Sequence, residues 1–234
     1  MSTRAIARTA GAFYLAYVIA GIIAQEFISE RMIVWGDAAA TASHILAHAS
    51  LFRLGFTIYL IEMIAQIVTT VLFYQLLKPV NKSVALLALI FGLVGCTIKT
   101  LSRLFYYAPL IVLGGAASFG AFNTEQLQSL SLVLLKVNDH AAAMALVFFG
   151  FETTLEGYLI IRSTFLPHIL GVAAVIGGLG WLTFLWPPLG YQLFLYLAAV
   201  ALLGVLATIG WLLVVGVNEE RWRAQATVAA ARPL

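Results

Sequence analysis

Phe148-Phe149-Gly150-Phe151-Glu152-Thr153-Thr154-Leu155-Glu156-Gly157-Tyr158 lies in a run apolar and long enough to cross a membrane, yet it carries two carboxylates. Their i, i+4 spacing sets Glu152 and Glu156 on one helix face, a turn apart. A carboxylate in hydrocarbon is costly, and by default it marks a function. The stretch therefore reads as a membrane helix, and as one that holds an ionisable site.

Composition extends that reading to the whole chain. Of 234 residues, 62% are hydrophobic and only 10% are charged, with a mean hydropathy of +1.00. A soluble domain carries about 25% charge. One buried core cannot absorb this much apolar surface, so the bilayer is the expected partner. The net charge of +3 is assigned to the ends of membrane helices. No basic tract is interleaved with exposed aromatic residues, which sets nucleic acid aside. The single cysteine, Cys96, excludes an internal disulfide and a cysteine-based zinc cluster.

Six spans of the ~20 residues that cross a bilayer are expected at 9–27, 52–77, 83–113, 139–161, 167–186 and 191–217. The first imitates a signal peptide, with Arg4 and Arg8 before the apolar run. It lacks a small-x-small cleavage site, because Ile22 stands two residues before Ala24, so it is read as a retained helix. With the N-terminus inside, Arg4, Arg8, Lys78, Lys82, Arg162, Arg221, Arg223 and Arg232 fall on the cytoplasmic side. Arg31, Arg53 and Lys136 fall outside, and that bias places both termini in the cytoplasm. Residues 1–217 form the membrane domain, and 218–234 a polar, Ala-rich cytoplasmic tail expected to be mobile. Trp35, Tyr106, Tyr107, Trp186 and Tyr191 are expected as outer interfacial anchors, and Trp222 as an inner one.

Two outer segments are patterned as helices. Asp37 can cap a helix from Ala38 that continues past His44 and His48 to Phe52. Asn123 or Thr124 can cap another, whose Leu127, Leu130, Leu134 and Val137 form one apolar stripe. The expected fold is thus an all-α integral membrane protein of about six transmembrane helices, with two extra outer-side interfacial or re-entrant helices. Gly171, Gly177, Gly178 and Gly180 read as close helix packing. No internal repeat of the kind found in many transporters is visible.

Rise along a helix places the charges. Glu62 stands about 14 Å along its span from Arg53, Glu152 about 20 Å from Asp139, and Lys99 about 24 Å from Ser83. All three can lie near the midplane, with Arg103 and Glu156 a turn to either side. Three carboxylates (Glu62, Glu152, Glu156) then face two cations (Lys99, Arg103), and pairing is expected. The acid left over can hold a proton and serve acid–base catalysis or a coupled transporter. The competing reading is that the charges only pin helices together. His44 and His48 also share a face, and with Asp37 they suit a metal. Lacking an adjoining acid in the motif, they are read instead as a polar outer lid, and no cofactor is expected. Arg53, beside this helix, is placed to hold Asp37 or an anionic group of a ligand. No nucleophile elbow, phosphate loop or zinc-protease motif occurs.

Several strings together carry a family resemblance. They are Arg8-Thr9-Ala10-Gly11-Ala12-Phe13-Tyr14-Leu15, Gly36-Asp37-Ala38-Ala39-Ala40-Thr41, His48-Ala49-Ser50-Leu51-Phe52-Arg53-Leu54-Gly55 and Leu76-Leu77-Lys78-Pro79-Val80-Asn81. With them go Phe148-Phe149-Gly150 with Gly157-Tyr158-Leu159-Ile160, and Arg162-Ser163-Thr164-Phe165-Leu166-Pro167-His168-Ile169-Leu170-Gly171. Over nearly its whole length the chain resembles the bacterial multi-pass membrane family catalogued as domain of unknown function 4386. The resemblance implies a six-helix protein of the bacterial inner membrane, and no activity. In that family's pattern the position of Glu152 is often a histidine, that of Glu156 usually apolar and that of Glu62 often an aspartate. The added acids read as specialisation of an intramembrane pocket.

The expected function is an intramembrane enzyme doing acid–base chemistry on an apolar or amphipathic molecule, such as an isoprenoid or lipid, in the manner of a cyclase or isomerase. Glu152 or Glu156 donates the proton, with Glu62 as partner, and Lys99 and Arg103 tune them. Phe148, Phe149, Phe151, Tyr106 and Tyr107 line the pocket, their π faces toward a developing cation. The alternatives are a proton-coupled small-molecule transporter and a non-catalytic membrane partner or ligand sensor.

Overall fold

The computed structural model describes residues 2–115 and 120–230, and all its regular elements there are helical. Arg232, assigned to the cytoplasmic side above, lies outside the described residues. The helices are α1 (Thr3–Ile22), α2 (Glu30–Met32), α3 (Ala38–Ala47), α4 (Ala49–Leu77), α5 (Lys82–Gly114), α6 (Thr124–Arg162), α7 (His168–Trp181), α8 (Pro187–Val214) and α9 (Glu219–Ala230). A π-helical segment, Ile23–Ser29, joins α1 to α2, and a 3-10 turn, Leu182–Leu185, extends α7. Six helical runs are long and apolar enough to cross a membrane: Thr3–Met32, Ala49–Leu77, Lys82–Gly114, Thr124–Arg162, His168–Leu185 and Pro187–Val214.

Local chemistry explains most of the boundaries. The Oδ1 of Asp37 accepts from the Ala40 amide at 2.8 Å, which caps α3. Asn123 and Gln126 exchange bonds of 2.9 Å, each side chain accepting from the other's amide, a reciprocal capping box at the start of α6. Asn81 caps α5 through the Val84 amide. Pro187 opens α8, where the missing N–H costs nothing. Gly216, with φ of +76°, ends it in the left-handed conformation that glycine adopts without penalty.

Three expectations change. Of the two extra helices, α3 stands alone, while the Leu127–Val137 stripe is the first part of the 39-residue α6 and runs unbroken into the fourth span. No proline or glycine separates the two, so nothing in the backbone stops the helix. Conversely, α3 does not continue to Phe52: it ends at Ala47, and His48 leaves helical geometry before α4 begins. The segment expected as a mobile tail contains α9. The indole N–H of Trp222 donates to the Leu76 carbonyl at 2.8 Å, and Gln225 accepts from the Thr164 amide. Polar composition hid this because the bonds go to backbone groups far away in sequence.

The chain divides into two compact units. The first comprises Met1–Leu15, Ala65–Cys96 and Ala143–Leu234. Its core gathers Phe73, Leu76, Leu159, Ile160, Phe165 and Leu212 among others. The glycines of α6 and α7 bring their backbones together as the sequence implied. A Cβ on Gly157 would stand 2.7 Å from the Gly171 carbonyl oxygen, and one on Gly171 would meet the Gly157 carbonyl oxygen at the same distance. Gly178 faces Gly150 and Thr154 in the same way. In lipid such approach gains dispersion contact where no hydrophobic drive separates helix from acyl chain. The second unit comprises Ala16–Ile64 and Thr97–Ala142. Its core is built from Ile28, Met32, Ile45, Phe52, Tyr59, Tyr106 and Leu135 with their neighbours.

Gly157→Leu will force α6 and α7 apart and lower the thermal midpoint in detergent, a cost of about 1–3 kcal/mol for overpacking. Gly210→Ala, where nothing among the described residues stands within 4 Å, will not lower the midpoint, because alanine is the better helix former. Docking of α9 will also depend on acid. The Arg4 amide donates to Glu219 at 3.0 Å and, with the Arg223 charge, holds that half-buried carboxyl below its ordinary 4.5. A depressed carboxylate stabilises above its ordinary value, and the contribution is lost as pH falls through the lower folded one. Amide-exchange protection of residues 219–230 will therefore fall below about pH 4.5, and Glu219→Gln will remove that pH dependence.

Candidate functional site

The first unit holds the acids of α6. Glu152 is 6% exposed, and its Oε1 accepts from the Thr70 hydroxyl of α4 at 2.7 Å. On α5, Gly92 lies so close that any side chain there would collide with the Glu152 carboxyl group. Three helices thus converge on one carboxyl: α6 supplies it, α4 gives it a hydroxyl and α5 gives it room. Glu156 follows a turn later and is half-buried. Neither acid has an ion-pair partner among the described residues. The aromatic residues stand beside them. Phe151 stacks on Phe91 at 4.9 Å between centroids, Phe148 is tilted against the same ring at 6.4 Å, and Phe149 is buried against Gly95.

The second unit holds the cations. The Nζ of Lys99 donates to Glu62 Oε1 at 2.6 Å, with Glu62 almost wholly buried. Gly21 leaves space for that carboxylate, since a Cβ there would stand 3.0 Å from it. The Oε2 of Glu62 is buried and has no hydrogen-bond partner among the described residues. Arg103 is buried on the next turn of α5. Its guanidinium donates to Asn138 at 3.2 Å and its carbon lies 3.6 Å from the centre of the Tyr59 ring, a cation–π contact. Its Nε likewise has no hydrogen-bond partner among the described residues. Tyr59 donates to Gln25 at 2.7 Å, and its hydroxyl stands 3.0 Å from that of Ser29. Ser29 in turn donates to Tyr106 at 3.2 Å. Buried polar groups are normally satisfied, and the Oε2 of Glu62 and the Nε of Arg103 are exceptions among the described residues.

Several candidate residues stand elsewhere or differently. Tyr106 is buried, stacked on Phe52 at 4.3 Å and hydrogen-bonded to Ser29, so it is a member of this network and not an interfacial anchor. Tyr107 packs on Phe56 at 4.8 Å. Arg53 is exposed. Asp37 spends its carboxylate on the α3 cap, and the Nδ1 of His48 stands 3.2 Å from the His44 carbonyl oxygen. No three His, Cys, Asp or Glu side chains group as a metal site among the described residues.

Sequence reasoning passed over Gln25, Ser29, Tyr59, Thr70, Gly92 and Asn138. All six lie in or beside apolar runs. Gln25 and Ser29 carried a legible signal, being polar residues four apart in the first span. They fall in the π-helical segment, a widened turn often found at functional sites. Gly92 carried none, because only the structure shows what its missing side chain makes room for.

A family model described as "Domain of unknown function (DUF4386)" matches residues 9–216. No curated protein and no solved structure matches the chain.

Lys99→Met will strand a buried carboxylate and destabilise by about 3–5 kcal/mol, the usual cost of removing one partner of a buried pair. Adding Glu62→Gln will recover most of the loss. A thermal or denaturant series across the four proteins measures the coupling.

Proposed function

The chain belongs to the DUF4386 family, whose description assigns no activity, and we propose from its acids that it is an intramembrane acid–base enzyme. Its substrate class is an apolar or amphipathic small molecule such as an isoprenoid or lipid. Glu152 exchanges the proton, Thr70 orients its carboxyl, and Glu156 is the second acid. Phe148 and Phe151 flank the reacting group. The observation that carries this reading is the 2.7 Å bond from a neutral hydroxyl to a buried carboxyl that has no ion-pair partner among the described residues. A structural carboxylate is expected to resemble Glu62, which has Lys99. An acid that trades protons gains from a neutral partner, which supports both protonation states without committing to either. The chemistry needs no cofactor: a proton moves from Glu152 to an unsaturated or oxygenated centre, and another proton returns to the carboxylate later in the cycle.

We place the protein in a bacterial plasma membrane with both termini cytoplasmic. Arg4 and Arg8 stand at the start of the first span, Lys78 and Lys82 between the second and third, Arg162 at the end of the fourth, and Arg221 and Arg223 beyond the sixth, whereas Arg31, Arg53 and Lys136 stand toward the other ends of the first, second and fourth. That partition fits the enrichment of cytoplasmic loops in Lys and Arg. One observation favours a second reading, a proton-coupled carrier. Glu156 is half-buried one turn from Glu152, so a proton can step between them.

Native mass spectrometry and lipid extraction of gently purified protein will yield a bound isoprenoid or amphiphile. Glu152→Gln and Glu156→Gln will each lower its turnover about 100-fold or more, the range for loss of a general acid. Undiminished turnover in both variants ends the proton-donor role. Flux of the unaltered molecule that collapses a pH gradient in proteoliposomes replaces the enzyme with the carrier.

A further inference from the structure

A groove of about 1040 Å³ opens in the first unit where α4 ends, α5 and α7 begin and α9 packs across. Lys78, Lys82 and Arg221 line it, with His168 beside them, and its lining contains no aspartate or glutamate. Two long helices start here. The amide groups of a first helical turn have no acceptor within the helix, and their partial charge is positive. The N-termini at Lys82 and His168 therefore add to the same sign as the side chains. The hydroxyl of Ser83 lies in the same wall. Cations, hydroxyl and helix N-termini together form the chemistry that binds a phosphoryl group.

The walls identify the source of that group. Pro79, Val80 and Val228 share the groove with the cations, and of the helices that frame it α4, α5 and α7 are long and apolar enough to cross a membrane. A free phosphate has no use for the apolar wall, whereas a phospholipid fills both halves. Fixation of α9 fits this use, because its Trp222 and Gln225 hydrogen-bond to the backbone of Leu76 and Thr164, on either side of the groove. We infer that this groove is a headgroup site for an anionic phospholipid, with Lys78, Lys82 and Arg221 holding the phosphodiester and α9 forming its outer wall. The site is independent of the acid chemistry of Glu152 and stands or falls separately from it.

The full chain in detergent, titrated with short-chain phosphatidylglycerol and phosphatidylcholine and read by native mass spectrometry, tests the inference. Phosphatidylglycerol will bind at least tenfold more tightly than phosphatidylcholine. The double variant Lys78→Gln/Lys82→Gln will lose that preference while keeping its thermal midpoint. Lys82→Gln alone gives a smaller loss, and it serves if the double variant is unstable. Arg223→Gln removes an exposed cation that does not line the groove, and it will leave the preference intact. Equal binding of the two lipids, or an equal loss in Arg223→Gln, overturns the site in favour of diffuse charge attraction. Displacement of the lipid by equimolar inorganic phosphate overturns the headgroup assignment in favour of a free anion.

Discussion

Hydrocarbon offers no hydrogen bonds, so every polar group placed inside a span must find its partner in protein or in enclosed water. Most features of this protein that are not simply apolar follow from that constraint. Glu62 has Lys99, Arg103 has Asn138 and the Tyr59 ring, and Glu152 has Thr70. The partners differ in kind. One acid is neutralised by a cation, and the other is held by a hydroxyl. That difference in chemistry separates a carboxylate suited to fixing helices from one suited to exchanging a proton.

Glycine does the work that makes these arrangements fit. Gly21 and Gly92 leave room for the carboxyl groups of Glu62 and Glu152, while Gly150, Gly157, Gly171 and Gly178 let α6 and α7 touch backbone to backbone. The two uses are distinct. The α6–α7 contacts are packing, and a larger residue there displaces a helix. The glycines opposite the acids shape a polar site, and a larger residue there displaces a carboxyl group. The π-helical segment at Ile23–Ser29 serves the second unit in a comparable way, carrying Gln25 and Ser29 to the hydroxyls of Tyr59 and Tyr106.

What could be read from the sequence was whatever repeats along a helix or stands out against an apolar background. Hydropathy found the six spans, Asp37 and Asn123 announced their caps, and the clustered glycines announced close packing. Glu62, Lys99, Arg103, Glu152 and Glu156 were conspicuous as charges in lipid-crossing runs. Their partners were hidden, because Thr70, Asn138 and Ser29 are ordinary residues in such runs, and pairing is decided by which helix lies beside which. The pairing of the charges met the same limit: counting left one acid without a cation, whereas among the described residues the structure joins Lys99 to Glu62, sets Arg103 on Asn138 and the Tyr59 ring, and leaves both Glu152 and Glu156 without an ion-pair partner. Helix α9 was missed because its ties are to backbone atoms of Leu76 and Thr164, which leave no pattern in composition.

In the proposed function, Glu152 is kept for chemistry rather than for holding α4, α5 and α6 together. Residues kept for function are often held at some expense of stability, whereas structural pins are not. The most direct test is the thermal midpoint of Glu152→Gln beside the unaltered protein in the same detergent, since glutamine retains an oxygen for Thr70 and removes only the ionisable group. A midpoint equal to or above that of the unaltered protein is the predicted result. A fall of several degrees would contradict the account and return Glu152 to the role of a structural pin.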